Sequence, residues 1–339
     1  MFGDRILTGI KPTGTIHLGN YFGAIRQMVA LQEEGEMFMF LADLHALTDF
    51  SEDGKRHHAE TFKEVSHNAI RAYIALGINP EKVVIYRQSE FPQVTELFWI
   101  FCCLLKHQYL TIGHAYKDAR QRDVQPDLGT FLYPVLMAAD ILLPGAEMVP
   151  VGKDQKQHLE MAREIARKFN MVTQSTYFTE PQEHIVEDTA AVPGTDGEKM
   201  SKSRKNILPI FGDEDVIRRS IMAIKTDSTP AGQPIQPGGC TVCRYLELLL
   251  PKEEYGSIAN RCMNGTVQYK ELKETLITAY LAYFQDARKT YQKLEQDTEF
   301  IDRVLRRHRS RVTKLLNTRL EEVRAIIGFE VSARHGFFG

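Results

Sequence analysis

The feature that most constrains this chain is a repeated order of elements. A short apolar run is followed by a polar or glycine-bearing junction, then by apolar residues at helical spacing. Arg5-Ile6-Leu7-Thr8-Gly9 reads as a buried strand. After the loop from Ile10 to Asn20, residues Tyr21, Phe22, Ile25, Met28, Val29 and Ala30 recur at helical spacing until Gly35. Met37 to Leu41 is a second apolar strand, ending at Asp43-Leu44-His45, with a helix from about Lys55 to Leu76. Val83 to Tyr86 is a third, with polar Gln88-Ser89-Glu90 at its carboxyl end and a helix from Val94 to Lys106. Phe131 to Leu143 is an apolar helix interrupted by one acid, Asp140. Met148 to Val151 is a further buried strand, and Gly152-Lys153-Asp154 turns into a helix through Phe169. This alternation predicts an α/β fold with a doubly wound, parallel, Rossmann-like sheet. Ligands in such sheets sit outside the carboxyl ends of the strands, so Pro12, Thr13, His45, Gln88 and Asp154 are predicted to converge. Leu110 to Gly129 is polar and irregular, too long for an inert connection, and is expected to be a functional loop.

The pattern changes in the second half. Asp213 to Lys225 and Tyr269 to Thr290 read as helices, and Thr229 to Gly239 as a Pro/Gly-rich connector. Asp297 to Ile327 is a long helical stretch closed by Gly328, carrying Arg303, Arg306, Arg307, Arg309, Arg311, Lys314 and Arg319. A chain of 339 residues can bury two cores. The expected division is an α/β domain over 1–208 and an all-helical domain over 209–339. The arginine-rich helix could present a solvated face, contact nucleic-acid phosphates, or pack back and pair with acids of the first domain. Lys and Arg number 42 against 44 Asp and Glu, so a broadly basic nucleic-acid binder is excluded and any RNA contact must use a local patch. The five cysteines, odd in number and loosely placed, point to reduced thiols rather than a disulfide framework. Met1 to Arg5 has no signal-peptide character, and the longest apolar stretch, Leu97 to Leu105, falls short of the ~20 residues that span a bilayer. The expectation is a cytoplasmic protein without a membrane segment. That stretch itself reads equally as core or as an interface helix.

Two motifs carry chemistry. Lys199-Met200-Ser201-Lys202-Ser203 follows the turn-rich Pro193-Gly194-Thr195-Asp196-Gly197. This layout suits a mobile loop closing on a polyphosphate, where lysine ammoniums neutralise charge growing on a departing pyrophosphate. Read alone, it fits a solvated basic loop as well. Near the amino terminus, Gly14 and Gly19 with His17 and Asn20 occupy a strand-to-helix junction. Such a junction offers unpaired N–H groups and a helix dipole to an anion, although a lone glycine loop is more often a plain turn.

Together the motifs are more specific. His17-Leu18-Gly19-Asn20 is a variant of the HIGH signature and Lys199 to Ser203 is the KMSKS signature. The chain thereby resembles the class I aminoacyl-tRNA synthetases. Four further stretches make it similar to the tryptophanyl-tRNA synthetase family: Gly9 to Gly14, Tyr133 to Leu142, Val149 to His158 and Lys225 to Ser228. With the two signatures they span residues 5 to 228 in family order.

The resemblance implies a tryptophan–tRNA ligase, which uses ATP to form tryptophanyl-adenylate, releases pyrophosphate, and transfers tryptophan to the 3′ end of tRNA(Trp). It implies that His17, Asn20, Lys199 and Lys202 are catalytic. ATP would be lined by Lys11, Pro12, Thr13, Gly19 and Asn20 on one side and by Gly152, Lys153 and Asp154 on the other. Val192 and the segment Lys199, Met200, Ser201, Lys202 and Ser203 would close on it, with Lys117 adding a phosphate contact. Mg²⁺ would accompany ATP, held mostly by phosphates and water. The tryptophan pocket would be built on Asp140, because a carboxylate accepts what the indole N–H, a pure donor, offers. Phenylalanine would leave that acid unpaired and be rejected. Leu7, His45, Met137, Ile141, Val149 and Val151 would wall the ring, with Tyr133 and Gln155 at the amino group. From the residues alone, Asp140 could instead be a helix cap or form a buried ion pair with a nearby lysine, and His45 could be a core histidine.

The family further implies a homodimer bridged by tRNA, with the helical domain reading the anticodon. Two departures stand out. Some members hold an iron–sulfur cluster on four cysteines, but here only Cys240 and Cys262 fall near two of those places, with Thr266 and Tyr269 near the others. No iron–sulfur cluster or structural zinc is expected. Lys11 also replaces a glutamine common in this loop and could add a phosphate contact. The rival readings are a tyrosyl-tRNA synthetase, a regulator that binds tryptophan, ATP or RNA without catalysis, and a nucleotidyltransferase with HIGH-like motifs. The helix from Met137 to Leu142 followed by Gly152 to His158 favours tryptophan over tyrosine, and intact His17, Asn20, Lys199 and Lys202 favour catalysis over regulation.

Overall fold

The computed structural model describes residues 5–12, 14–49, 59–110, 127–152, 155–185, 192–202 and 204–329. Thr13, Lys117, Lys153, Asp154 and Ser203 lie outside the described residues, as does most of the 110–129 loop. Five parallel strands form one sheet in the order β3-β2-β1-β4-β5. They are β1 (Arg5–Ile10), β2 (Glu36–Leu41), β3 (Val84–Arg87), β4 (Met148–Val151) and β5 (Gln182–Ile185). The first four are the apolar runs expected from sequence. The fifth, Gln-Glu-His-Ile at a sheet edge, has no apolar run to announce it, since an edge strand need not bury both faces.

The sheet separates two cores by simple alternation. Ile6, Met37, Met39 and Ile85 point to one face, where they meet helix α1 (18–31) and α2 (Ala59–Ala75). Leu7, Phe38, Phe40, Val84 and Tyr86 point to the other, under α3 (Gln93–Leu104), α4 (Leu128–Leu142) and α5 (Lys156–Thr173). Helix α1 carries a π turn at Tyr21–Ile25, which aims both Phe22 and Ile25 into the core. In α3, Leu97 and Phe101 are buried while Trp99 is 66% exposed, so this helix serves the core on one side and faces out on the other.

Beyond the sheet the chain is helical: α6 (Glu214–Met222), α7 (Thr241–Leu249), α8 (Lys252–Met263), α9 (Tyr269–Tyr283), α10 (Gln285–Gln296) and α11 (Phe300–Ile326). Sequence periodicity ran α9 and α10 together, but the structure breaks them at Phe284, which is buried. Helices α7 and α8 were not read from sequence. They bring Cys240, Cys243 and Cys262 together in the core, with Cys243 Sγ 3.7 Å from Cys262 Sγ.

Helix α11 joins the halves. Ile301, Val304 and Leu305 enter the first core, and Val312, Leu316, Leu320 and Val323 enter the second. Some of its arginines pack back on the first half, one of the readings left open above. Arg307 pairs with Glu81 and Arg311 with Glu36, the first residue of β2. Arg324 grips Glu96 through two bonds of 2.6 and 2.5 Å, and Arg319 Nε donates to the Leu143 carbonyl at 2.6 Å. From Arg307 to Arg319 the helix therefore passes the amino ends of the strands, opposite the end where ligands are expected, while its first turn meets Arg87 at the end of β3 through Asp302. Exposed pairs of this kind add little, ~0–1 kcal/mol each. The apolar seam holds the helix. Leu316→Ala is expected to lower the unfolding free energy by ~2–5 kcal/mol in a chemical denaturation experiment, whereas Arg307→Ala should change it by under ~1 kcal/mol.

Candidate active site

The carboxyl ends of β1, β2 and β4 open onto a cavity of about 990 Å³. Its walls come from segments far apart in the chain. Lys11, His17, Gly19 and Asn20 form one end, with Val192, Lys199 and Met200 over them. Gly152 and Gln155 follow β4 on the opposite side. Leu7, His45, Tyr133, Met137, Ile141, Val149 and Val151 wall the deeper part. Pro12 is buried beside this lining, and Ser201 and Lys202 are half-buried at its rim.

The glycine loop and the lysine-serine loop are physically joined. Leu18 N donates to Leu208 O at 2.9 Å, and Ile210 N to Ile16 O at 3.2 Å. Ahead of these anchors, the segment Lys199 to Lys202 folds back onto the start of α1. Met200 Sδ lies 3.3 Å from Gly19 N, and a Cβ at Gly19 would sit 3.2 Å from the His17 ring. Gly14 has φ +46, and the space where its Cβ would point is 3.6 Å from Lys202 Nζ. Burial lowers the Lys202 ammonium below its usual range, so it gains from an anionic partner.

His17 caps the helix through its backbone, with its N–H donating to Asn20 Oδ1 at 3.1 Å. The ring is buried, and its Nδ1 has no hydrogen-bond partner among the described residues. Burial, then the Lys202 charge, push its pKa down to about 4. It is neutral at pH 7, and a buried unpaired nitrogen beside a helix start and a lysine suits a ligand oxygen or hydroxyl.

Sequence reasoning missed the residue that shapes the second loop. Asn206 is buried at 2% exposure. Its Oδ1 accepts from Ser201 N at 2.8 Å, and its Nδ2 donates to Asp196 Oδ1 at 2.7 Å and Lys199 O at 3.1 Å. Its own carbonyl accepts from Thr195 N at 2.9 Å. Position 194 must be glycine, since a Cβ there would lie 2.1 Å from Asn206 Nδ2. The helical half holds the ends of the segment: Tyr245 OH donates to Pro193 O, and Tyr280 OH to Pro209 O at 2.9 Å.

At the deep end, Asp140 lies just behind the lining and is 3% exposed. Gln88 Nε2 donates to both its oxygens, at 2.9 and 2.8 Å, and His45 Nε2 stands 2.8 Å from Oδ2. Asp140 is thus neither a helix cap nor paired with a lysine. Burial raises its pKa, and the His45 and Gln88 hydrogen bonds oppose that shift. Beside it, Tyr133 OH is 2.7 Å from His158 Nε2, and His158 Nδ1 is 2.9 Å from Gln155 Oε1. These three side chains form one hydrogen-bonded chain, whose proton direction follows the His158 tautomer. Lys11 Nζ reaches Thr48 Oγ1 at 3.5 Å, near the cavity wall.

Comparison with known proteins gives a consistent picture. Residues 4–285 match the family described as class I tRNA synthetases for W and Y. The chain is 38% identical to a tryptophan–tRNA ligase of Fusobacterium nucleatum, over 96% of this chain and 98% of that one. It is 41% identical to one of Rhodopirellula baltica, over 89% of this chain and 92% of that one. Among solved structures it is similar to a tryptophanyl-tRNA synthetase from Campylobacter jejuni complexed with ADP and tryptophan. There the TM-score is 0.88 and the identity 39%, covering 96% of this chain and 100% of that chain.

Two outcomes follow from this geometry. Asn206→Ala removes three side-chain hydrogen bonds, and hydrogen exchange at the Ser201 amide is expected to speed up by ~10-fold or more, since ~1.4 kcal/mol is a factor of ten. For His17, the folded pKa lies below the ordinary 6.5, so the unfolded chain takes up the proton first. The stability this residue contributes is present above about pH 6.5 and is lost as pH falls toward about 4. Denaturation measured across that window should show a shallower acid slope for His17→Gln than for the parent.

Proposed function

We propose a function on the premise that this chain belongs to the class I tRNA synthetases for tryptophan and tyrosine. It is a tryptophan–tRNA ligase: it activates tryptophan with ATP, releases pyrophosphate, and charges tRNA. The observation that carries this reading at the level of residues is the seating of Met200 on Gly19. That contact puts Lys199 and Lys202 at the same cavity end as His17 and Asn20, with the Asp140-backed pocket at the other.

The proposed division of labour follows the chemistry. ATP lies along the start of α1 with its phosphates toward the glycine loop. His17, neutral, and Asn20 donate to phosphate oxygens, and Gly152 with the residues after it holds ribose or adenine. The tryptophan carboxylate attacks the α-phosphorus, and pyrophosphate leaves toward Lys199 and Lys202. Little covalent work falls to the protein. Positioning and charge stabilisation do most of it, and a single well-placed donor of this kind is worth ~3–4 kcal/mol of barrier. Lys11 adds a phosphate contact. No acidic side chain lines the cavity among the described residues, so Mg²⁺ would enter with ATP, held by phosphates and water.

The indole N–H is read by Asp140 Oδ1, which accepts from Gln88 alone among the described residues, where Oδ2 meets both Gln88 and His45. Tyr133 and Gln155, linked through His158, meet the substrate ammonium. We also propose that residues 1–208 form the catalytic unit and 209–339 the unit that holds the tRNA. The enzyme works as a homodimer in the cytoplasm. The outward face of α3, with Trp99 exposed, suits the contact between subunits.

ATP–pyrophosphate exchange supplied with each amino acid in turn tests the substrate. Exchange is expected with tryptophan. Exchange with tyrosine instead would reject the substrate, and exchange with none would favour a non-catalytic binder. Asp140→Ala is expected to raise the tryptophan KM by ~10²-fold or more while ATP binding survives.

A further inference from the structure

We propose that Gln88 is a positioning residue for amino-acid selection, aiming the Asp140 carboxylate at the indole N–H. This inference rests on the reading above, in which Asp140 is the group that meets the indole.

Gln88 sits immediately after β3, is fully buried, and does not line the cavity. It therefore acts through another residue. Its amide can be oriented in only one way. Oε1 accepts from Leu44 N at 3.1 Å, and Nε2 donates to Asp140 Oδ1 at 2.9 Å and Oδ2 at 2.8 Å. A flipped amide would face an acceptor toward the carboxylate and a donor toward the Leu44 N–H, losing every bond at once.

The turn that presents Gln88 is itself fixed. Asp43, buried at 5% exposure, accepts from Ser89 N at 2.9 Å, from the Ser89 hydroxyl, and from Leu44 N at 3.0 Å. Asp43 thus ties the turn after β2 to the turn after β3, and Gln88 carries that link onward to α4. Chelation of both carboxylate oxygens by one nitrogen sets the plane of the carboxyl group. His45 then occupies Oδ2, which leaves the open acceptor position on Oδ1. A carboxylate held at a single pivot could swing about its Cβ–Cγ bond. Held at both oxygens, it presents one lone pair in one direction, and a bond made in one direction is what separates an N–H from an isostere without it.

The test uses the full chain in ATP–pyrophosphate exchange, with tryptophan and with 3-benzothienylalanine, in which sulfur replaces the indole N–H. Parent protein that exchanges with tryptophan establishes the underlying reading independently of Gln88. Gln88→Met, similar in length but without the amide, is then expected to raise the tryptophan KM by ~10–100-fold. The KM values for ATP and for the sulfur analogue should stay within about twofold, so that the preference for tryptophan collapses. An unchanged preference, or equal rises in all three KM values, would overturn the proposal.

Gln88→Glu supplies a second, fold-preserving readout. With one proton shared between the introduced carboxyl group and Asp140, the pair keeps a single negative charge and an O–H donor where the amide stood. Losing that proton puts two facing carboxylates in one buried site. The charged and titratable neighbours are His45 and Asp43 from the turn after β2, and Tyr86 from β3. The tryptophan KM of this variant should be near the parent value at roughly pH 5.5 and climb ~10-fold or more by roughly pH 8.5. A profile parallel to the parent's would overturn the assignment, including in the case where Gln88→Met does not fold.

Discussion

Two backbone hydrogen bonds, Leu18 N to Leu208 O and Ile210 N to Ile16 O, hold together segments from opposite halves of the chain. The shape of one end of the cavity depends on that junction. It places the lysine-serine loop across the start of α1, so that cations and helix-end N–H groups address one volume. Without it, each motif would be an ordinary surface loop. Clamping of the same segment by Tyr245 and Tyr280 extends the dependence to the helical half, which thereby shapes the site without lining it.

The two ends of the cavity solve opposite electrostatic problems. The end at the start of α1 gathers lysines in a partly buried place, where burial lowers the pKa of both Lys202 and His17. The deep end buries a negative charge and surrounds it with donors, His45 and Gln88, whose own placement is braced by Asp43 and Ser89. A buried carboxylate is tolerable only when donors surround it, and the direction of those donors decides where its last acceptor site points. At Asp140 that direction is set partly by Gln88, which does not line the cavity.

The sheet is the frame for both ends. Alternation of side chains along β1 and β2 divides the molecule into two cores, and α11 crosses beneath the strands and enters each of them. Its arginines pair with Glu36 and Glu81 at the amino ends of β2 and β3, and with Glu96 in the first turn of α3. That arrangement leaves the carboxyl ends of the strands free for ligands.

The sequence by itself determined the strands of the sheet centre, the two signature motifs and the place of a lone acid, Asp140, in an apolar helix. Each is marked locally: apolar runs at β1 to β4, glycines and lysines in fixed short patterns, one acid inside an apolar helix. It did not disclose β5, whose polar edge residues carry no period, or the break at Phe284, which burial of that side chain imposes. Nor did it give roles to Gln88, Asn206 and His158, although Gln88 was placed at the correct end of its strand. Amides and imidazoles act through the direction of a hydrogen bond, and direction exists only once distant segments are packed. Chemistry-bearing residue types can be read along a chain, but the partners that orient them are chosen by the fold.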